Sequence, residues 1–118
     1  MTQNVLAFEF QLNDYLMHDT AGPLDQYSHS SVELGRYYVI IKSYTSAENI
    51  LNKIIKFAKD QGGAYYEAQG SYVLAQVKVT KGDIATAKNL IENAKLIAKN
   101  TNDKALDAEI DQETAGLF

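Results

Sequence analysis

Cysteine is absent from the 118-residue chain, which excludes disulfide bonds and thiolate metal sites and fits a reducing compartment. No run of about twenty apolar residues is present, such as a membrane-spanning helix would need. The first residues carry Glu9 and Asp14 and no basic leader, so the sequence does not predict a secretory signal. Together these absences predict a cytoplasmic protein with no membrane partner.

Positive charge is also scarce. The chain has 11 Lys and Arg residues against 15 Asp and Glu residues, and its lysines are scattered singly. A protein that neutralises phosphates usually carries a stripe of basic residues, so nucleic acid is not an expected partner. With 46% hydrophobic residues and a formal net charge of −4, the composition predicts one soluble globular domain with a modest core.

Motifs for catalysis or cofactor binding are missing as well. His18 and His29 lack the four-residue spacing of a helical zinc site. Gly62 and Gly63 are not followed by the Lys-Ser or Lys-Thr of a phosphate loop, and they predict a helix end instead. Five acidic residues near the C terminus are expected to form a solvated helix face: Asp103, Asp107, Glu109, Asp111 and Glu113. We therefore expect no enzyme activity, no metal and no cofactor.

Amphipathic helices dominate what the chain does contain. The stretch KGDIATAKNLIENAKLIA, residues 81–98, has apolar residues at steps of three and four, which predicts a helix with Asp83 as its N-cap. The stretch SAENILNKIIKFAKDQGG, residues 46–63, has the same spacing, with Thr45 and Glu48 placed as a capping box. An apolar-rich run of residues precedes each stretch, so the sequence predicts two helical hairpins.

Two of these runs would also be plausible strands on propensity alone. YYVII and YVLAQVKV are rich in β-branched and aromatic residues, and Val73, Ala75, Val77 and Val79 alternate in the second. We favour helices because each run precedes a strong helix at a matching distance, and tertiary context overrides propensity.

The N-terminal segment leaves two alternatives open. Its apolar residues Val5, Phe8, Leu12, Tyr15 and Leu16 share one helical face, which predicts a capping helix that ends before Gly22-Pro23. The alternating residues Leu6, Phe8, Phe10 and Leu12 would instead suit a strand.

The chain also repeats itself. A shift of 40 positions superposes residues 31–59 on residues 71–99 with seven identical residues and no gap, which is typical of a helical repeat protein. The identical pairs are Ser31 with Ser71, Leu34 with Leu74, Val39 with Val79, Ala47 with Ala87, Asn49 with Asn89, Ala58 with Ala98 and Lys59 with Lys99. Residue size also agrees where Gly35 meets Ala75 and where Leu51 meets Ile91.

This repeat resembles the tetratricopeptide repeat (TPR) family, in particular the longer-period repeats of bacterial regulators. The second copy, residues 64–102, supplies the family's pattern of large and small residues around a Gly-Asp turn: Leu74, Ala75, Gly82, Asp83, Ala87, Ile91 and Ala94. The first copy, residues 27–63, is degenerate, with Lys42-Ser43 in place of the turn glycine and Ile54 in place of a small residue. A third start, within residues 103–118, stops early.

The resemblance implies a fold of stacked antiparallel helical hairpins, an all-α solenoid of about six helices in one domain. Residues 1–22 and 103–118 would be the capping helices at its two ends. The expected helices lie near residues 3–18, 28–44, 46–61, 64–81, 84–100 and 103–116.

The resemblance also implies a binding face. In the family, the first helices of successive hairpins line a concave groove that holds an extended peptide or a partner helix. The matching positions here are His29, Val32, Arg36, Val39, Ile40, Gln69, Tyr72, Gln76, Val79 and Thr80. We expect the polar members His29, Arg36, Gln69, Tyr72, Gln76 and Thr80 to contact the partner, and the four aliphatic members to pack against neighbouring helices. Arg36 and Tyr72 are expected to lie outside the core.

The function so implied is a non-catalytic module that binds a protein or peptide, as an adaptor or a regulatory sensor. The alternative is a self-associating structural protein, in which a second copy covers the apolar faces left by the degenerate first repeat and the truncated third one.

Overall fold

A computed structural model describes residues 24–118, and these residues form helices joined by short turns, with no strand among them. The five helices are α1 (Leu24–Ile40), α2 (Tyr44–Gln61), α3 (Ala64–Thr80), α4 (Ile84–Asn100) and α5 (Lys104–Thr114). For residues 24–118 the all-α prediction is confirmed, and the runs YYVII and YVLAQVKV contribute to α1 and α3 rather than to strands. The predicted helix near residues 3–18 lies outside the described residues.

The four turns between the helices share one geometry. Each contains a residue in the left-handed conformation, and these residues, Lys42, Gly62, Gly82 and Asn102, recur at equal intervals along the chain. After each of them, the next backbone N–H donates to the carbonyl five residues earlier, at N–O distances of 2.7–2.9 Å. This bond is the wide turn of a Schellman motif, which satisfies the carbonyls left free at a helix end. The helices between these turns are therefore set at one constant spacing in the sequence.

The starts of the helices differ more than their ends. Asp83 and Asp103 act as N-caps, because their carboxylates accept hydrogen bonds from the backbone N–H groups of Thr86 and Leu106. The prediction for Asp83 is thereby confirmed. The predicted capping box of Thr45 and Glu48 is wrong, since α2 begins at Tyr44 and its N-cap makes no side-chain hydrogen bond.

Glu48 instead connects α2 to α3. Its carboxylate oxygens lie 3.1 Å from Nζ of Lys78 and 3.0 Å from Nζ of Lys81. Glu48 therefore forms ion pairs between helices instead of capping α2. Its spacing from Thr45 in the sequence is compatible with either role.

Helix α3 lies at the centre of the molecule. It packs against every other described helix, and eight of its 17 residues are buried. Close approach to its neighbours depends on small residues. A β-carbon added at Gly70 would lie 2.9 Å from Ile55 of α2, and one added at Gly35 of α1 would lie 2.6 Å from Leu51. Crossings this tight explain why glycine occupies two helix interiors despite its low helix propensity.

Alternate helices on one side of the molecule also meet. Each helix packs against the next one, and α3 additionally contacts α1 and α5. Within residues 24–118, α2 and α4 make no comparable contact with each other. The odd-numbered helices therefore form one layer, which brings side chains from helices distant in sequence next to each other.

Candidate partner-binding site

Four of the six predicted partner-binding residues come together in the layer of odd-numbered helices. Arg36 lies on α1, and Gln69, Tyr72 and Gln76 lie on α3, where they meet acidic residues of α5. The resulting set, which we call the interhelix polar cluster, consists of Arg36, Tyr65, Gln69, Tyr72, Gln76, Glu109 and Glu113.

Arg36 and Tyr72 form the contact between α1 and α3. The guanidinium Nη2 of Arg36 donates a hydrogen bond to the Tyr72 hydroxyl, and the guanidinium carbon lies 5.3 Å from the centre of the tyrosine ring. A cation at this distance from the ring is attracted by its π-electrons. Burial raises the pKa of Tyr72, and the hydrogen bond that the hydroxyl donates to Glu109 raises it further. The tyrosine therefore stays protonated and serves as both donor and acceptor.

The carboxylate of Glu109 collects three donors from α3. It accepts hydrogen bonds from the hydroxyl of Tyr72 at 2.6 Å, from Nε2 of Gln69 at 2.9 Å and, more weakly, from the hydroxyl of Tyr65 at 3.4 Å. The sequence interpretation placed Glu109 on a solvated face, and the structure corrects this, because its side chain is only partly exposed. Gln69 and Glu109 are separated by one full repeat, so the repeat register could have paired them.

Glu113 joins both α1 and α3 to the last turn of α5. Its carboxylate lies 3.6 Å from Nη1 of Arg36, and its backbone carbonyl accepts a hydrogen bond of 2.8 Å from Nε2 of Gln76. Arg36 also pairs with Glu33, one turn earlier on α1, at 3.7 Å. Arg36, which was expected to contact a partner, thus pairs with carboxylates of this chain.

Two predicted residues stay outside the cluster. His29 is exposed on α1, and the hydroxyl of Thr80 donates to the backbone carbonyl of Gln76 within α3. Of the aliphatic positions, Val32 is buried, as expected for packing, whereas Ile40 is 75% exposed and does not pack as expected.

Tyr72 requires a correction. It was expected to lie outside the core, but its side chain is fully buried, whereas Arg36 retains 26% of its side-chain exposure. Arg36 of α1 and Glu109 of α5 both bond to the hydroxyl of Tyr72, and the guanidinium of Arg36 also lies over its ring. An alanine at position 72 would therefore remove core packing as well as any contact with a partner.

A separate groove of about 580 Å³ runs between α4 and α5. It contains Leu96, which is 53% exposed, and Lys95. Nζ of Lys95 lies 2.8 Å from Asp107 and 2.6 Å from Asp111, so this side of α5 is also held by ion pairs. The side chains of Asp107 and Asp111 are 46% and 66% exposed, so both aspartates lie on a solvated face, as the sequence predicted.

Two kinds of feature are absent from the described part of the chain. Among residues 24–118, no group of three or more His, Cys, Asp or Glu side chains is placed to hold a metal ion. None of the five helices combines the length and apolarity required to cross a membrane.

The cluster is thus a connected polar contact between three helices, with one carboxylate at the meeting point of three donors. Comparisons with protein-family models, curated proteins and solved structures gave no match for this chain. Its function must accordingly be argued from the geometry of its own residues.

Proposed function

We propose that this chain is a non-catalytic module that binds a protein or peptide through the layer formed by α1, α3 and α5. The observation that carries the proposal is the interhelix polar cluster. Residues from two neighbouring helices place a guanidinium, two amides and the hydroxyl of Tyr65 on one connected surface, and the buried hydroxyl of Tyr72 lies beneath them. Arginine and tyrosine dominate the energy of many protein interfaces, and amide groups can pair with a peptide backbone.

The packing of the helices supports a TPR-like arrangement as part of the same proposal. In such an array the first helices of successive hairpins lie side by side and form the concave wall. Here α1, α3 and α5 are the helices that meet in one layer, and the turns between helices recur at equal intervals. A regular array of this kind offers an extended surface rather than a closed catalytic cleft.

Selection from a phage-displayed peptide library would test the proposal. Peptides enriched on the wild-type chain would be measured against a double variant with Arg36→Ala and Gln76→Ala. Both side chains are partly exposed, so the fold should tolerate their loss. We expect affinity to fall by about 2 kcal/mol or more, as for central anchors of an interface.

A double variant on the outer face of α2 provides the matched control. Lys53→Ala and Gln61→Ala remove one cation and one amide from exposed positions away from the cluster. The control should bind the selected peptides like the wild type. Equal binding by the cluster variant and the control would contradict the proposal.

Self-association is a second candidate because several large apolar side chains of the described region are exposed. Ile40 is 75% exposed, Leu96 is 53% exposed, and Phe118 is 61% exposed. Apolar side chains in such positions can be covered by a second copy. Sedimentation velocity across a concentration series would detect this. A peptide-binding module stays monomeric, whereas a self-associating protein shifts to larger species as its concentration rises.

A further inference from the structure

Helix α5 contacts α3 and α1 through carboxylates, in addition to its two buried apolar residues. Glu109 accepts three hydrogen bonds from α3, and Glu113 pairs with Arg36 of α1. Three donors directed at one carboxylate form a recognition site for an acidic group, since hydrogen bonds to a charged acceptor are the stronger kind.

The opposite side of α5 repeats this chemistry with α4. Asp107 and Asp111, one turn apart, both pair with Lys95. Between the two acidic sides lie Leu106 and Ile110, which are the two buried residues of α5. The helix therefore consists of an apolar pair four residues apart, with carboxylates on both sides of it.

Removal of α5 would leave a surface of the opposite character. Arg36 and Lys95 would each lose carboxylate partners, and the donors of Gln69 and Tyr72 would lose their shared acceptor. Donors and cations left without partners favour any ligand that restores them. The uncovered surface is thus complementary in charge to an acidic segment, with an apolar floor where Leu106 and Ile110 now pack.

Helix α5 is also the shortest of the described helices and has few buried residues. It has 11 residues, of which two are buried, whereas α3 has 17 residues, of which eight are buried. Elements with few buried apolar contacts are the ones that open locally at low cost. A segment in trans that reproduces the contacts of α5 can therefore compete with it.

We propose that the surface of α1, α3 and α4 beneath α5 is a docking site for an acidic helical segment of another protein, and that α5 is its resident competitor. This inference rests on the proposed binding function, keeps α1 and α3 as binding helices, places the partner where α5 now lies, and names the chemical class of the partner. The partner helix carries two apolar residues four positions apart. Its carboxylates occupy the places of Asp107, Glu109, Asp111 and Glu113.

A peptide with the sequence of residues 103–118, labelled with fluorescein, is the probe. Its fluorescence anisotropy would be measured with three full-length chains: wild type, Leu106→Ala and Gln112→Ala. Leu106→Ala weakens the packing of the resident α5, so we expect it to bind the peptide at least tenfold more tightly than the wild type does. Gln112 is exposed on α5, so its variant should match the wild type.

A charge-reversed peptide, with lysine at positions 107, 109, 111 and 113, tests the chemistry of the site. It should bind the Leu106→Ala chain at least tenfold more weakly than the acidic peptide does. Added salt should weaken the acidic peptide's binding, because ion pairs are screened. Equal binding of the two peptides, or no binding by a variant whose α5 amides exchange faster with deuterium, overturns the inference.

Two controls keep the result interpretable. Circular dichroism checks that Leu106→Ala remains helical, and Glu109→Gln provides a second variant that loosens α5 without leaving a cavity. Concentration-dependent dimers of either variant would show a second copy as the occupant and overturn the choice of another protein. Library peptides that depend on Arg36 but are basic would leave the proposed function standing and overturn this inference alone.

Discussion

The hairpins α1–α2 and α3–α4 reach the same geometry from different residues. The second hairpin has a glycine at the left-handed position of its turn, Gly82, and an aspartate N-cap that makes a side-chain bond. The first has Lys42 at the same position and an N-cap without such a bond. Both turns nevertheless close with the same backbone hydrogen bond, at 2.8 Å. Helix packing thus imposes a turn that the sequence of the first hairpin does not favour.

The small residues at the helix crossings should show the largest effect. Ala87 of α4 is fully buried, as is its counterpart Ala47 in α2. Ala87→Leu should overpack the crossing and lower the free energy of unfolding by about 1–3 kcal/mol. Lys88→Leu, on the exposed neighbouring position, should be nearly neutral. Urea titrations of both variants measure the difference, and similar losses for the two would contradict the assigned helix face.

Gly35 tests whether the first hairpin tolerates the alanine that the second one has at position 75. An added β-carbon would lie 2.6 Å from Cδ2 of Leu51, which is fully buried. Overpacking should outweigh the better helix propensity of alanine, for a net loss of about 1 kcal/mol. Chemical denaturation would measure this loss, and combining Gly35→Ala with Leu51→Val should cost less than the sum of the single changes. Strict additivity would show that the two residues do not compete for space.

Exchanging the turn residues should change the stability of the two hairpins in opposite directions. Lys42→Gly removes a side chain from the left-handed region, and Gly82→Ala introduces one there. No atom lies within 4 Å of a β-carbon added at Gly82, so the backbone alone decides its effect. We expect Lys42→Gly to stabilise and Gly82→Ala to destabilise, each by about 0.5–1 kcal/mol. Thermal unfolding would show shifts of opposite sign, and shifts of the same sign would refute the argument.

The smallest effect concerns Glu48, which connects the two hairpins. The hydrogen bond from Lys81 is the largest cause that lowers the pKa of this carboxyl, and it acts together with Lys78 against the opposing effect of burial. A lowered folded-state pKa contributes stability above the unfolded-state value, about 4.3 for glutamate, and that stability is lost as the pH falls through the folded-state value.

The loss caused by Glu48→Gln should therefore be present at about pH 7 and small at about pH 3. Glu92→Gln, at an exposed position of α4, serves as the control and should change the free energy of unfolding little at either pH. A loss from Glu48→Gln that is the same at both pH values would assign Glu48 a role in packing rather than charge.

Helix bounds were predictable from the sequence where the turn contains glycine. The expected helices near 64–81 and 84–100 differ from α3 and α4 by at most one residue, because Gly62-Gly63 and Gly82-Asp83 mark their ends. Helix α1 was expected near 28–44 but spans Leu24–Ile40, since the turn at Lys42 carries no glycine to signal it. The position of a turn that helix packing imposes, such as the one at Lys42, cannot be identified from the residue types in the turn.

The candidate site was predictable only in part. The resemblance to TPR repeats selected Arg36, Gln69, Tyr72 and Gln76, and the structure brings these four together, but the resemblance did not select Tyr65, Glu109 or Glu113. Hydrogen bonds from α3 were not expected at Glu109, because an acidic residue on a helix is most often solvated, although one full repeat separates Glu109 from Gln69. The burial of Tyr72 was also missed, because it depends on contacts with two helices that are distant in sequence.

The constant spacing of the turns has a consequence for how the gene can lengthen. A duplicated block of codons, cut at the codon for Gly62 and again at the codon for Asn102, encodes two whole helices and two complete turns. Its insertion would leave every downstream helix in phase with the one before it. Unequal recombination can therefore add a hairpin in a single event. An insertion of a single helix would instead bring even-numbered helices into the layer of odd-numbered ones.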